Sequence, residues 1–278
     1  MTGLDDTTFA AEVKRAGDDM SPVCVGLLVA RECAYPALRP SEYLAQLETL
    51  AADARAPVSA GETVEAQGAA LARFLFETAG FRGNRDDYTD PRNSYLNQVL
   101  ERRLGLPISL SVLYLHLAEQ LGVPAFGIGL PGHFIVGVLG ADGLSYLDPF
   151  NGGRPLSLAD CSKLVQGALG NQVGFDPDWL RPMPPREIVA RMLNNLRGFY
   201  VSVEDWPKSI AVVERLGELQ PDVTAYIRDL GVLHYRAGAL RRAARLFNEY
   251  LARTPGATDA EAVRQGRDRL LEELARLN

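Results

Sequence analysis

Residues 123–150 read "VPAFGIGLPGHFIVGVLGADGLSYLDPF", and the architecture of the chain turns on how they fold. Upstream, apolar residues recur at helical spacing. Here the period shortens to brief apolar runs broken by Pro131-Gly132 and by the Gly-Ala-Asp-Gly stretch 140–143. Short runs punctuated this way predict strands, with residues 140–143 as a hairpin connection. His133 heads one strand and Asp148 ends the next, so an antiparallel pair can set them side by side. A carboxylate beside an imidazole fixes its tautomer and stabilises its protonated form, as a catalytic base requires. Both residues also have a structural reading, His133 closing a turn and Asp148 starting an Asp-Pro turn.

Residues 1–122 read as helices. "SEYLAQLETLAADA" (41–54) places Leu44, Leu47 and Leu50 at helical spacing, with Ser41 as its expected N-cap. "ETVEAQGAALARFLFETAG" (62–80) continues the pattern to Gly80, a C-cap residue type. A polar loop, 81–93, leads to a helix in "NSYLNQVLERRL". Another follows in "PISLSVLYLHLAEQLG", with Pro107 in the favoured first turn. "PVCVGLLVA" (22–30) follows acidic rather than basic residues and is far shorter than the ~20 apolar residues of a membrane span, so it predicts a buried helix. After the strands, Ser157 and Asp160 stand at capping-box spacing before a further helix.

From about Arg186 the pattern is helical again, and it repeats. Leu196, Tyr200, Val213 and Pro221 recur 34 residues later as Leu230, His234, Phe247 and Pro255. Leu230-Gly231, Ala243, Phe247 and Pro255 fit the helix-turn-helix signature of a tetratricopeptide repeat, and the period is that of the repeat. Two repeats cannot cover their own end faces. The first domain is therefore expected to pack on one end, and "DAEAVRQGRDRLLEELARL" (259–277) to cap the other. Residues 1–181 and 186–278 form the two expected domains, joined by a linker at Pro182–Pro185.

At 278 residues, 47% hydrophobic and 23% charged, the chain has the composition of a globular protein with a sizeable core. A net charge of −6, from 29 basic and 35 acidic residues, argues against a nucleic-acid partner. Cys24, Cys33 and Cys161 are odd in number and lack metal-ligand spacing. No disulfide framework, metal or cofactor is expected, and a reducing cytoplasm is the expected compartment, with no membrane association.

The order "DDYTDPRNSYLNQVLERRLGLPISLSVLYLHLAEQLGVP", then "LPGHFIV", then "LDPFNGG" resembles the SirB-type branch of the transglutaminase-like superfamily, whose members also carry C-terminal tetratricopeptide repeats. The resemblance implies an α+β fold: a helical N-terminal part, then a papain/transglutaminase-like core with a small antiparallel sheet. An all-α repeat domain follows. It also implies a Cys-His-Asp core with the cysteine at a helix N-terminus, which assigns His133 and Asp148 to the His and Asp positions. Aligning Gly122-Val123-Pro124 with the family's Gly-[Ile/Val]-Pro places Pro107, within Gly105-Leu106-Pro107, where Gly-x-Cys is required. A gap inside the helix would rotate its apolar face by ~100° per residue, so the register is firm. Proline offers no nucleophile.

Ser111 lies one turn beyond Pro107 on the same helical face, and Ser109 is turned away by roughly 200°. The expected function is therefore that of a non-catalytic binding or scaffold protein. Its cleft would hold a peptide or other ligand and its repeats would dock a protein partner; Arg236, Arg241, Arg242 and Arg245 could meet an acidic one. The alternative is a serine-dependent amidohydrolase or acyltransferase using Ser111 or Ser109 with His133 and Asp148. A third reading keeps the pair for proton transfer without a covalent step.

Overall fold

A computed structural model describes residues 3–276 except Asp142. Five helices lead into the core: α1 (Phe9–Ala16), α2 (Pro22–Cys33), α3 (Pro40–Ser59), α4 (Val64–Arg73) and α5 (Leu96–Arg102). The helix α6 (Pro107–Leu121) follows, starting at Pro107 and ending at Gly122 in the left-handed conformation that glycine adopts without penalty. Residues on all sides of α6 are buried, from Ile108 and Leu110 to Leu117 and Ala118, so it runs through the centre of the main core. Helices α2, α3, α4 and α5 surround it.

The sheet is a meander of β3 (Ala125–Ile128), β4 (Ile135–Gly140), β5 (Gly143–Asp148) and β6 (Arg154–Leu156), antiparallel throughout. Phe134, Val136, Val138 and Leu147 pack with α6, whereas Ile128, Ile135 and Leu156 meet Cys161 and Val165 of α7 (Leu158–Leu169). Cover on both faces explains why β4 reads as a continuous apolar run. Gly140 pairs with Gly143 across the hairpin, as residues 140–143 suggest, although Asp142 lies outside the described residues. The Ser157–Asp160 capping box at the start of α7 forms as expected.

Beyond the sheet lie α8 (Pro185–Ser202), α9 (Trp206–Leu219), α10 (Ala225–Arg236), α11 (Leu240–Arg253) and α12 (Ala260–Arg276). They stack as helix pairs, and a Cβ on Gly231 would lie 2.6 Å from the Phe247 ring, which is why the second pair needs a glycine there. Leu270 of α12 covers Ala243 and Phe247. At the other end, Val189, Leu193, Leu196 and Tyr200 of α8 share a core with Phe9, Val25, Leu28 and Tyr95. The buried Tyr95 and Tyr200 hydroxyls meet at 2.9 Å.

Several local expectations need correction. Ser41 does not cap α3: the helix begins one residue earlier, and both the N–H and the hydroxyl of Ser41 donate to Asp5. A tertiary carboxylate outcompetes the local cap. The 62–80 helix is not uniform, because α4 passes into a π-turn at Phe74–Thr78 before Gly80. Asn93 and Ser94 belong to an Asp90-capped 3-10 turn, so α5 starts only at Leu96. Between these helices, β1 (Arg82–Gly83) and β2 (Leu104–Gly105) form a parallel two-residue bridge that the sequence did not signal. The Pro182–Pro185 segment is docked: Met183 N–H donates to Gly127 O at 2.8 Å.

Candidate functional site

Leu130–His133 forms a tight turn in which His133 N–H donates to Leu130 O and Gly132 takes φ 71°. Proline at the second position and glycine at the third are what a type II turn demands. The turn delivers His133 to the head of β4. Val136 pairs with Leu147, so Asp148 falls beside Ile135, two residues from His133. His133 Nε2 and Asp148 Oδ1 lie 3.0 Å apart. With Nε2 donating to the carboxylate, Nδ1 is the ring nitrogen left to meet anything else.

Asp148 is fully buried. It also caps the Pro149–Asn151 turn, accepting from Asn151 N–H at 3.3 Å and from Asn151 Nδ2 at 2.6 Å. Burial pushes its carboxyl pKa up, but the hydrogen bond and charge from His133 and the two bonds from Asn151 outweigh this and hold it below the usual carboxylate value. The turn-forming roles of the two residues and their side-by-side pairing coexist in one arrangement.

Phe150 is the hub of the surroundings. Its ring stands edge-on to His133 at 6.2 Å and to Tyr88 at 5.7 Å, with the Arg85 guanidinium over it at 5.8 Å. Arg85 also bonds Asn151. A Cβ on Gly83 would sit 2.5 Å from the Phe150 ring, and Gly83 pairs with Gly105. The β1–β2 bridge thus ties the start of α6 to the turn after Asp148. Pro107 is buried in the first turn of α6, where the register places the nucleophile.

The serines are fully buried beside it. Ser109 Oγ lies 2.7 Å from Asn93 O, to which it donates, and accepts from Leu106 N–H at 2.9 Å. Ser111 Oγ donates to Pro107 O at 2.8 Å. The fold brings His133 and Asp148 together, and no hydrogen bond joins either serine to His133 among the described residues. Burial pushes the Cys24 thiol up, Cys33 to about 12 and Cys161 to about 11, and none of the three lies in α6.

Two features of the site come from far along the chain. Arg191 of α8 donates through Nη2 to both Leu130 O and His133 O at 2.7 Å, clamping the His133 turn from α8. A cleft of about 310 Å³ runs between α8 and the 88–94 loop, lined by Tyr88, Ser94, Leu106, Asn194, Asn195 and Phe199. Sequence reasoning missed Asn151, Phe150, Tyr88 and Arg191. Only Asn151 left a signal, since Asp-Pro-x-Asn is a turn whose last amide can return to the aspartate. Elsewhere, Arg241, Arg242 and Arg245 line an open depression at the start of α11. No cluster of three or more potential metal ligands occurs among the described residues, and no described helix is long and apolar enough to cross a membrane.

The sequence profile of the transglutaminase-like superfamily matches residues 41–194, and that of the tetratricopeptide repeat matches residues 196–267. A UPF0162 protein of Xylella fastidiosa (strain 9a5c) is 37% identical over 241 residues, covering 86% of this chain and 85% of its own. A UPF0162 protein of Vibrio cholerae is 28% identical over 70% of this chain and 72% of its own. F-box only protein 21 of Mus musculus is 41% identical over 99 residues, which is 33% of this chain and 16% of that protein. No solved structure matches the chain.

Proposed function

The chain belongs to the transglutaminase-like superfamily, and from the state of its nucleophile position we propose that it is a non-catalytic member, a binding or scaffold protein. Residues 1–181 supply a transglutaminase-like domain, residues 186–278 supply repeats that dock a protein partner, and the ligand cleft lies between the 88–94 loop of the first and α8 of the second. One observation carries the reading: next to Pro107, the hydroxyl protons of Ser109 and Ser111 are committed to backbone carbonyls. A serine needs its proton directed at a base to become a nucleophile. The cleft beside Leu106 suits an extended peptide, with aromatic faces at Tyr88 and Phe199 and amides at Asn194 and Asn195. Three unpaired thiols accord with a cytoplasmic location.

The retained His133–Asp148 pair is what favours the alternative, a serine-dependent amidohydrolase or acyltransferase. A fluorophosphonate probe separates the two readings. The wild-type protein should show no labelling that depends on His133. Labelling abolished by His133→Ala together with Ser109→Ala or Ser111→Ala would overturn the proposal in favour of the hydrolase.

A further inference from the structure

At the other end of α6 from Pro107, a cavity of about 430 Å³ opens between the start of α2, the second half of α6, β3 and the segment entering α8. Val23, Val112, Leu115, Phe126, Met183 and Ile188 give it apolar walls from four separate elements. The volume is in the range of small-molecule sites, which are apolar with a few placed polar groups. Among the lining side chains only Glu119 carries a full charge, and it makes no ion pair among the described residues. No lysine or arginine lines the cavity.

His116 adds a second polar group without adding a positive charge. Gln120 Nε2 lies 2.8 Å from His116 Nε2, one helical turn away on α6, which ties the ring to its own helix. Burial pushes the pKa of His116 down, against the opposing pull of the Glu119 and Glu48 carboxylates. An apolar concavity bordered by one sign of charge focuses that field on what enters it.

We propose that this cavity binds a small hydrophobic cation, with an apolar body among Val112, Leu115, Phe126 and Ile188 and an ammonium group at the Glu119 carboxylate. Apolar burial supplies the attraction, and the carboxylate selects the sign. The site shares no lining residue with the cleft near Pro107, so it stands independently of the function proposed above.

Three probes that share a 1-naphthylmethyl body and differ in head-group charge test it on the full chain by calorimetry and ligand-observed NMR: 1-naphthylmethylamine, 1-naphthalenemethanol and 1-naphthaleneacetate, the carboxylate. The amine should bind tightest and the carboxylate weakest. Glu119→Gln should weaken the amine by about fivefold and leave the alcohol unchanged, as removal of a solvent-accessible ion pair does. Ala125→Leu, which places a larger side chain on the β3 wall, should weaken all three. Because Glu119 is exposed, its variant keeps the test valid even if Ala125→Leu fails to fold. Failure of the amine to bind at up to about millimolar concentration, equal binding of all three probes, or an amine affinity untouched by Glu119→Gln would each overturn the proposal.

Discussion

Replacing Pro107 with cysteine asks whether the first turn of α6 is the vacated seat of a nucleophile. The controls are Ser109→Cys and Ser111→Cys, and the structure sets their expected behaviour apart. Both serines are fully buried, and burial without a compensating charge raises a thiol's pKa. Burial acts the same way on the native thiols, pushing Cys33 up to about 12 and Cys161 up to about 11. Position 107 is also buried, but it lies where first-turn N–H groups lack helical partners, on the helix that packs against the Pro149–Asn151 turn. On this register a thiol there should face His133 and titrate between ~3.5 and ~7.5. At neutral pH a thiol with a pKa of about 8.5 is roughly 3% thiolate, and one at about 6 is roughly 90%, a thirty-fold gain. Loss of the proline ring should cost little stability, because the first helical position needs no N–H bond. Thiolate absorbance near 240 nm, followed against pH, reads the three sites without requiring reagent access to a buried atom. The native thiols, raised by burial, add little signal at pH 7. The low titration at 107 should move up when His133→Ala is added. A thiol at 107 that titrates with those at 109 and 111, or that ignores His133, would refute the register.

Asp148→Asn should destabilise the protein by about 2–3 kcal/mol at pH 7, because three donors converge on a buried carboxylate and an amide can accept only at its single oxygen. The folded pKa of Asp148 lies below its unfolded value, so its contribution is present above about pH 4 and fades as pH falls through the folded pKa. Thermal unfolding should show a Tm deficit of roughly 4–10 °C at pH 7 that narrows in acid, and equal melting at pH 7 would contradict the geometry. Residues 186–278 expressed alone should associate or unfold without cooperativity. Val189, Leu193, Leu196 and Tyr200 would lose the cover of α1, α2 and Tyr95, which at about 1.5–3 kcal/mol each rivals the whole stability of a domain. A monomeric fragment with a sharp transition by calorimetry and light scattering would overturn that account.

What was legible in the sequence was what carries its own punctuation. Pro107 and Gly122 bracket α6, and the turns at Pro131-Gly132 and residues 140–143 bracket β4, because each boundary depends on backbone conformations that few residues adopt. The β1–β2 bridge left no trace, since two residues cannot show a period, yet it ties the start of α6 to Phe150. Ser41 misled because capping chemistry is local whereas its partner, Asp5, lies 36 residues away. Arg191 was invisible for the same reason: its clamp on the His133 turn spans 58 residues and leaves no spacing rule to find.

The pair itself shows why sequence patterns separate structure from chemistry poorly. His133 was readable either as a turn-closing residue or as half of a dyad, and Asp148 either as a turn starter or as its partner. The fold gives each both its turn role and its place in the pair. The His133 N–H closes the Pro-Gly turn while its ring reaches Asp148, and one Asp148 carboxylate receives both that ring and the Asn151 amides. Removing Asp148 would therefore leave part-buried donors unpaired at the end of β5, whether or not any reaction takes place there. Stability alone is enough to hold the pair in place, with or without a nucleophile opposite it. A paired His133 and Asp148 is thus weak evidence for catalysis in this chain. The discriminating evidence lies at the start of α6, where Pro107 has no proton to give and the two serines have given theirs to the backbone.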